Sequence, residues 1–146
     1  MDVNQVKRLL KNLFETQRLA VLATQGKNGP YTSLMTFTAT DDLKHLLFVT
    51  ERVTRKYANI SKNPRVALLI DNRSPQKSRT NFAVTVMGKA QEPAEEESES
   101  LRKLFLTRHP DLREFLNNPG CALLRCLVEE YVIVKNFQDV VVYRPE

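Results

Sequence analysis

The sequence has no tryptophan, two cysteines and four glycines among its 146 residues, and no apolar run approaches the roughly 20 residues that span a bilayer. Each scarcity excludes something. Cys121 and Cys126 lie five apart in a segment that reads as a strand, so alternation sends them to opposite faces and no disulfide between them is expected. Both read as packing residues, with a reactive thiol as the alternative; neither has a CxxC or Cys/His companion, so no metal site is expected. The stretch Met1–Lys7 has no continuous apolar core of a secretory signal, and a cytoplasmic location away from membranes follows by default. With 42% hydrophobic and 27% charged residues, the composition is that of a folded globular chain, expected to form a single domain over residues 1–146.

What is present is positive charge in one place. The 22 basic and 17 acidic residues give +5 overall. Arg52, Arg55, Lys56, Lys62, Arg65, Arg73, Lys77 and Arg79 face only Asp71 within that stretch, leaving +7 there and −2 elsewhere. Such a field suits an anionic ligand. A nucleic-acid surface normally interleaves stacking aromatics with its cations. Here Tyr57 is the sole aromatic of the stretch, so no nucleic-acid partner is expected.

Apolar periodicity supplies the elements. Val3, Val6, Leu9, Leu10, Leu13 and Phe14 mark an amphipathic helix. Leu19–Thr24 and Tyr31–Thr40 flank the turn-forming stretch Gly26–Pro30, predicting a hairpin, and His45–Thr50 predicts a third strand. A helix from Thr54 to Ser61 must stop before Pro64, which pushes Asn63 out of the helical region. Strands follow at Arg65–Ile70 and Asn81–Gln91, joined by a polar connection. Pro93 and the acidic run Glu95–Glu99 open a helix that buries Leu101, Leu104 and Phe105, the carboxylates lying at the positive end of its dipole. A short helix around Leu112–Leu116 and two strands, Cys121–Lys135 and Asp139–Tyr143, complete the chain. Six or seven strands without βαβ alternation predict a mainly β fold with peripheral helices, an antiparallel barrel.

One local feature is off-pattern. Arg52, Arg55 and Lys56 crowd the start of a helix, where exposed N–H groups already carry positive partial charge and each cation costs roughly 0.3–1 kcal/mol. An anion reverses every sign: free N–H groups, the Thr54 hydroxyl, a guanidinium and an ammonium would converge on one phosphate. These residues taken alone fit a solvated basic face equally well.

The order Phe48-Val49-Thr50, Thr54-Arg55-Lys56, then Asn63-Pro64-Arg65-Val66-Ala67-Leu68-Leu69 resembles the pyridoxamine 5′-phosphate oxidase-like family of FMN-binding split barrels. The strands at Gly29-Pro30-Tyr31 and Val84–Ala90 extend the resemblance over roughly residues 17 to 92. It implies a six- to seven-stranded antiparallel split β-barrel holding FMN. Arg55 and Lys56, with Thr54, would take the phosphate; Ser33, Leu34, Met35 and Thr36 would line the isoalloxazine; Val49 and Thr50 would flank the ribityl chain. It further implies a C2 homodimer with flavin sites at the subunit interface.

Departures narrow this expectation. Ser33 and Thr38 stand where the oxidases carry Arg and Lys, Ala83 stands where a Gln is expected, and the carboxy-terminal Trp and Arg substrate motif is missing. Authentic pyridoxamine phosphate oxidase activity is not expected. Asn72 and Arg73, in the Asp71–Arg79 connection, are candidates for replacement contacts to flavin or substrate, or else form a plain loop with an Asx turn; Lys77, Arg79 and Asn81 share that ambiguity. His45 and His109 have no partner at catalytic spacing and read as structural, His109 favoured as a cation at a helix end. The function expected is FMN-dependent oxidoreduction with the catalytic residues unassigned, against a non-catalytic carrier of flavin, haem or deazaflavin.

Overall fold

The computed structural model describes residues 1–72 and 81–146. Its order is α1 (Val3–Thr16), β1 (Leu19–Gly26), β2 (Gly29–Ala39), β3 (His45–Glu51), α2 (Arg55–Lys62), β4 (Arg65–Asp71), β5 (Phe82–Gln91), α3 (Glu95–Arg108), a 3₁₀ turn (Pro110–Leu112), α4 (Arg113–Asn117), β6 (Cys121–Lys135) and β7 (Asp139–Tyr143). Sequence periodicity therefore located every element. Among the described residues no helix is long and apolar enough to cross a membrane.

The strands form one antiparallel sheet in the order β3-β2-β1-β4-β5-β6-β7, and β3 also pairs with β6. Six strands thus close into a barrel, with β7 added outside along β6. Closure removes the unpaired edges of an open sheet. The β1–β2 hairpin turns at Lys27-Asn28 between paired Gly26 and Gly29, and Gly29 takes φ +115°, where a side chain would be strained.

Alternate residues of each strand fill the barrel: Leu22, Phe37, Leu46, Phe48, Leu68, Val84, Val86 and Ile133 are buried there. α1 begins with a capping box, in which Asp2 accepts from the Gln5 N–H and Gln5 returns the contact. It lays Val6, Leu10, Leu13 and Phe14 into the same core. Phe14 meets Phe37 edge to face at 5.7 Å and lies 5.8 Å from the ring of Tyr131, whose hydroxyl donates to the Leu43 carbonyl at 2.7 Å. Val3, expected on the apolar stripe, is instead 56% exposed, because the first turn projects past the barrel.

β3 is buried on both faces. Leu46 and Phe48 look into the barrel, whereas Leu47 and Val49 join Leu123 beneath Phe105 and Leu116 in a second apolar cluster. Leu101, Leu104, Leu112 and Phe115 pack against that cluster. α3 and α4 therefore lie against the outside of β3 and β6. The cysteines follow this division: Cys126, paired with Leu46, is in the barrel core, and Cys121 pairs with Glu51. Both are buried and free. Burial pushes the Cys126 thiol up to about 12, which fits a packing role.

Candidate functional site

β2 and β3 pair only from Phe37 to Ala39 against Leu46 to Phe48. Continuing the ladder would set Thr36 against Val49, Met35 against Thr50 and Leu34 against Glu51. Instead the strands part, each still held by its other neighbour, β1 or β6. The split leaves a groove of about 400 Å³, within the range of small-molecule sites. Leu34, Met35, Thr36, Val49, Thr50 and Glu51 line its sides, Thr54 and Lys56 its α2 end, and Leu112 and Phe115 its outer wall.

Seven residues expected from the sequence thus meet in one groove: Leu34, Met35, Thr36, Val49, Thr50, Thr54 and Lys56. Ser33 is not on its lining, and its hydroxyl is buried without a hydrogen-bond partner, as is that of Thr38. Asn72 borders a different cavity with Asp71, Asn81, Phe82, Ala83, Val134 and Phe137, where its Oδ1 accepts from the Phe82 N–H at 2.8 Å. Arg73, Lys77 and Arg79 lie outside the described residues.

The α2 end of the groove has a defined local structure. Thr54 caps α2 in an extended conformation, φ −101° and ψ 158°; its hydroxyl accepts from the Tyr57 N–H at 3.4 Å and donates to the Glu51 carbonyl at 2.8 Å. Thr50 Oγ1 lies 3.2 Å away. The N–H groups of Arg55 and Lys56, in the first turn, have no acceptor among the described residues. They are the donors that an anion at a helix start uses.

The three cations expected here divide. Lys56 lines the groove. The Arg55 guanidinium is stacked over the Tyr31 ring at 4.8 Å from its centroid, beside the cradle and on an exposed residue. Arg52, counted among the cations crowding the helix start, is turned away from it: it donates to the Pro119 and Cys121 carbonyls at 2.8 Å each and pairs with Glu92 at 3.0 Å. Tyr57 also donates to Glu92. Burial raises the Glu92 carboxyl, but hydrogen bonds from Arg52 and Tyr57 outweigh it and hold the group below its usual range.

The histidines lie away from the groove lining. His109 is 5% exposed, with Nε2 2.7 Å from the Phe37 carbonyl and Nδ1 3.4 Å from Arg18 Nη1. Burial lowers its pKa, and the nearby Arg18 and Arg108 charges act the same way, against the Phe37 contact. These effects favour the neutral ring over the cation that its place at a helix end suggested. Among the described residues no three His, Cys, Asp or Glu side chains are grouped to hold a metal ion.

Glu51, Leu112 and Phe115 were missed by sequence reasoning. The apolar spacing of Leu112, Phe115 and Leu116 marks a helix, but which strand it packs against is not encoded locally.

The closed barrel with its peripheral helices has counterparts among known proteins. The sequence profile described as Pyridoxamine 5′-phosphate oxidase matches residues 6–113. The chain belongs to the pyridoxamine 5′-phosphate oxidase family. The match runs from α1 to the first residue of α4, taking in Leu112 but not Phe115, and stops short of β6. No curated protein gives a significant match. Solved structures share the fold at low identity. A Clostridium acetobutylicum protein related to general stress protein 26 of Bacillus subtilis superposes with a TM-score of 0.75 at 16% identity, covering 99% of this chain and 96% of that one. A FAD-binding protein from Mesorhizobium loti gives 0.69 at 19%, covering 92% and 93%. A haem-binding protein from Mycobacterium smegmatis gives 0.83 at 16%, covering 95% of this chain and 57% of that one.

Proposed function

We propose that this chain binds FMN in the groove between β2 and β3 and acts as an FMN-dependent oxidoreductase distinct from an authentic pyridoxamine phosphate oxidase. The observation that carries this reading is that Thr54 and Lys56 close one end of a groove lined also by Leu34, Met35, Val49, Leu112 and Phe115, at the start of a helix whose first N–H groups have no acceptor among the described residues. The fit is specific to chemistry: a dianion meets donors and positive charge, and a flat ring meets Leu34, Val49, Leu112 and Phe115.

Bound there, the flavin would supply the redox chemistry, so no side-chain nucleophile is required. The chain's own residues bind and orient it. Lys56 and the Arg55 and Lys56 N–H groups hold the phosphate, with Arg55 close by to neutralise it. Thr54 keeps those N–H groups aimed outward by capping the helix and tying it to the Glu51 carbonyl. Leu112 and Phe115 exclude water from one side of the groove, which strengthens polar contacts at its phosphate end. Haem is the rival occupant; both histidines of the sequence lie off the groove lining, which favours flavin.

The same reading has two chains pairing as a C2 homodimer. Strand register aligns Leu34, Val21, Leu69, Thr85, Val132 and Val142 in one row across the outer face of six strands. Leu34 is 65% exposed, and Leu69 and Val142 are exposed as well. This row, apolar but for Thr85, supports pairing through that face, and it meets the groove at Leu34.

The test is to strip the purified protein and titrate it with FMN, riboflavin and haem, following the visible spectrum, for wild type and an Arg55→Ala/Lys56→Ala variant. Loss of the Lys56 contact, at roughly 1.5–3 kcal/mol, together with the nearby Arg55 charge predicts at least about tenfold weaker FMN binding in the variant. Equal FMN retention by the two proteins refutes the phosphate assignment. Oxidation of NADH or NADPH by the loaded protein then separates an enzyme from a carrier.

A further inference from the structure

The outer wall of the groove hangs on a buried histidine. His109 ends α3, immediately before the 3₁₀ turn and α4 that carry Leu112 and Phe115. Its Nε2 reaches the Phe37 carbonyl at 2.7 Å, and Phe37 adjoins Thr36 on the groove's opposite side. This one hydrogen bond therefore joins the wall segment to β2 beside the split. At Nδ1 the neighbour is the Arg18 guanidinium at 3.4 Å. Arginine only donates, so Nδ1 is an acceptor and the ring proton sits on Nε2.

We infer that His109 is a positioning residue: as a neutral ring it holds the wall of the groove in place, and its protonation at Nδ1, which leaves the Nε2–H bond to the Phe37 carbonyl intact, drives out Arg18 and loosens the 3₁₀ turn that Arg18 holds through Asp111. A second proton can go only onto Nδ1, where it meets the guanidinium, donor against donor and charge against charge. The charged groups around the ring come from three places. Arg18 lies in the link between α1 and β1, Arg108 on the last turn of α3, and Asp111 on the 3₁₀ turn. Phe105 of α3 covers the ring at 5.0 Å between centroids.

Asp111 is already bonded to Arg18 at 2.5 Å, so it cannot serve an imidazolium without releasing that cation. Either partner lost loosens the same segment. The far end stays pinned, because Arg102 donates to the Leu116 carbonyl at 3.1 Å and to Asn117 Oδ1 at 2.7 Å. The result is a local loosening between two held ends: the 3₁₀ turn gives way at Asp111, and Leu112 retreats from the groove. Burial of the ring favours the closed, neutral form, in the direction its lowered pKa indicates.

The consequence for cofactor affinity rests on the flavin reading; the opening of the wall does not. Amide hydrogen exchange of the ligand-free protein, corrected for intrinsic rates, should show residues 110–117 losing protection between pH 8 and pH 5 while the amides of β6 keep theirs. His109→Gln retains a donor for the Phe37 carbonyl but cannot titrate, so its profile should be flat. Arg18→Gln removes both the opposing cation and the Asp111 pair, so residues 110–117 should be poorly protected already at pH 8 and the wild-type transition lost.

Riboflavin is the probe for the linked effect, since the phosphate of FMN itself titrates at about pH 6. Its affinity for wild type should fall by up to about tenfold per pH unit below the transition, as expected for one linked proton, and not for His109→Gln. A flat wild-type exchange profile, or an unchanged transition in His109→Gln, overturns the inference. Should His109→Gln fail to fold, a transition retained in Arg18→Gln overturns it instead. A wall that opens with pH in a protein that binds no flavin at any pH supports the role of His109 and refutes the flavin reading.

Discussion

Arg52 is bound to Glu92 by two contacts, Nη2 to Oε2 at 3.0 Å and Nε to Oε1 at 3.3 Å, and so faces the end of β5 and not the helix start next to it. Three adjacent cations in sequence consequently serve three purposes: a clamp, a stacked guanidinium and a groove-lining ammonium.

This separation makes a contrast testable. Lys56→Ala should weaken FMN binding by roughly 1.5–3 kcal/mol while leaving riboflavin binding nearly unchanged. Arg52→Ala should do the reverse of a cradle variant: its effect should appear in folding stability, through the lost Pro119 and Cys121 carbonyl contacts, and be equal for FMN and riboflavin. The Arg52–Glu92 pair is 40% and 38% exposed, so Glu92→Gln should cost no more than about 1 kcal/mol in urea denaturation.

The apolar row across the outer sheet face predicts an oligomeric state. Light scattering after gel filtration should give the mass of two chains for wild type, and Leu34→Glu should yield monomers, because a dimer would bury the new carboxylates without partners. A monomeric wild type at micromolar concentration rules out this interface.

Gly88 is a packing constraint in β5. A Cβ there would lie 2.2 Å from the Leu127 carbonyl oxygen and 2.8 Å from Cys126 Sγ, at the point where the β5–β6 register shifts. Gly88→Ala must move backbone, and overpacking of this kind costs typically about 1–3 kcal/mol, measured as a lower urea midpoint. Gly120→Ala, where the nearest contact is an Asn118 side-chain oxygen at 3.2 Å, should cost less.

Acid sensitivity follows from the two histidines. Burial first, and then neighbouring arginines, depress both His45 and His109 below the usual 6.5. The unfolded chain therefore takes up protons before the folded one does. Stability should be fully present above about pH 6.5 and decline as the pH falls through the folded values, since the unfolded state binds more protons in that window. His109→Gln should reduce the slope of stability against pH; an unchanged slope assigns the effect to other groups.

Much of this was legible locally. The 3.6-residue spacing of Val6, Leu10, Leu13 and Phe14, the Asn63-Pro64 stop of α2 and the alternation along β5 each depend on neighbours within a few residues, and each element formed where those signals lie. The cradle was half legible. Its misfit with the helix dipole marked Arg55 and Lys56 for an anion, but the same rule swept in Arg52, whose partner Glu92 is 40 positions away in sequence.

The sequence by itself determined the secondary structure, the concentration of positive charge around α2 and the residues on which the family resemblance rests, because these are properties of short-range periodicity and of order along the chain. Only the tertiary structure decided that β2 and β3 separate after three pairs, that Leu112 and Phe115 wall the gap, and that His109 is a buried neutral ring between Phe37 and Arg18. Those outcomes depend on which surfaces meet when the barrel closes, and no local pattern specifies a meeting between segments 70 to 90 residues apart.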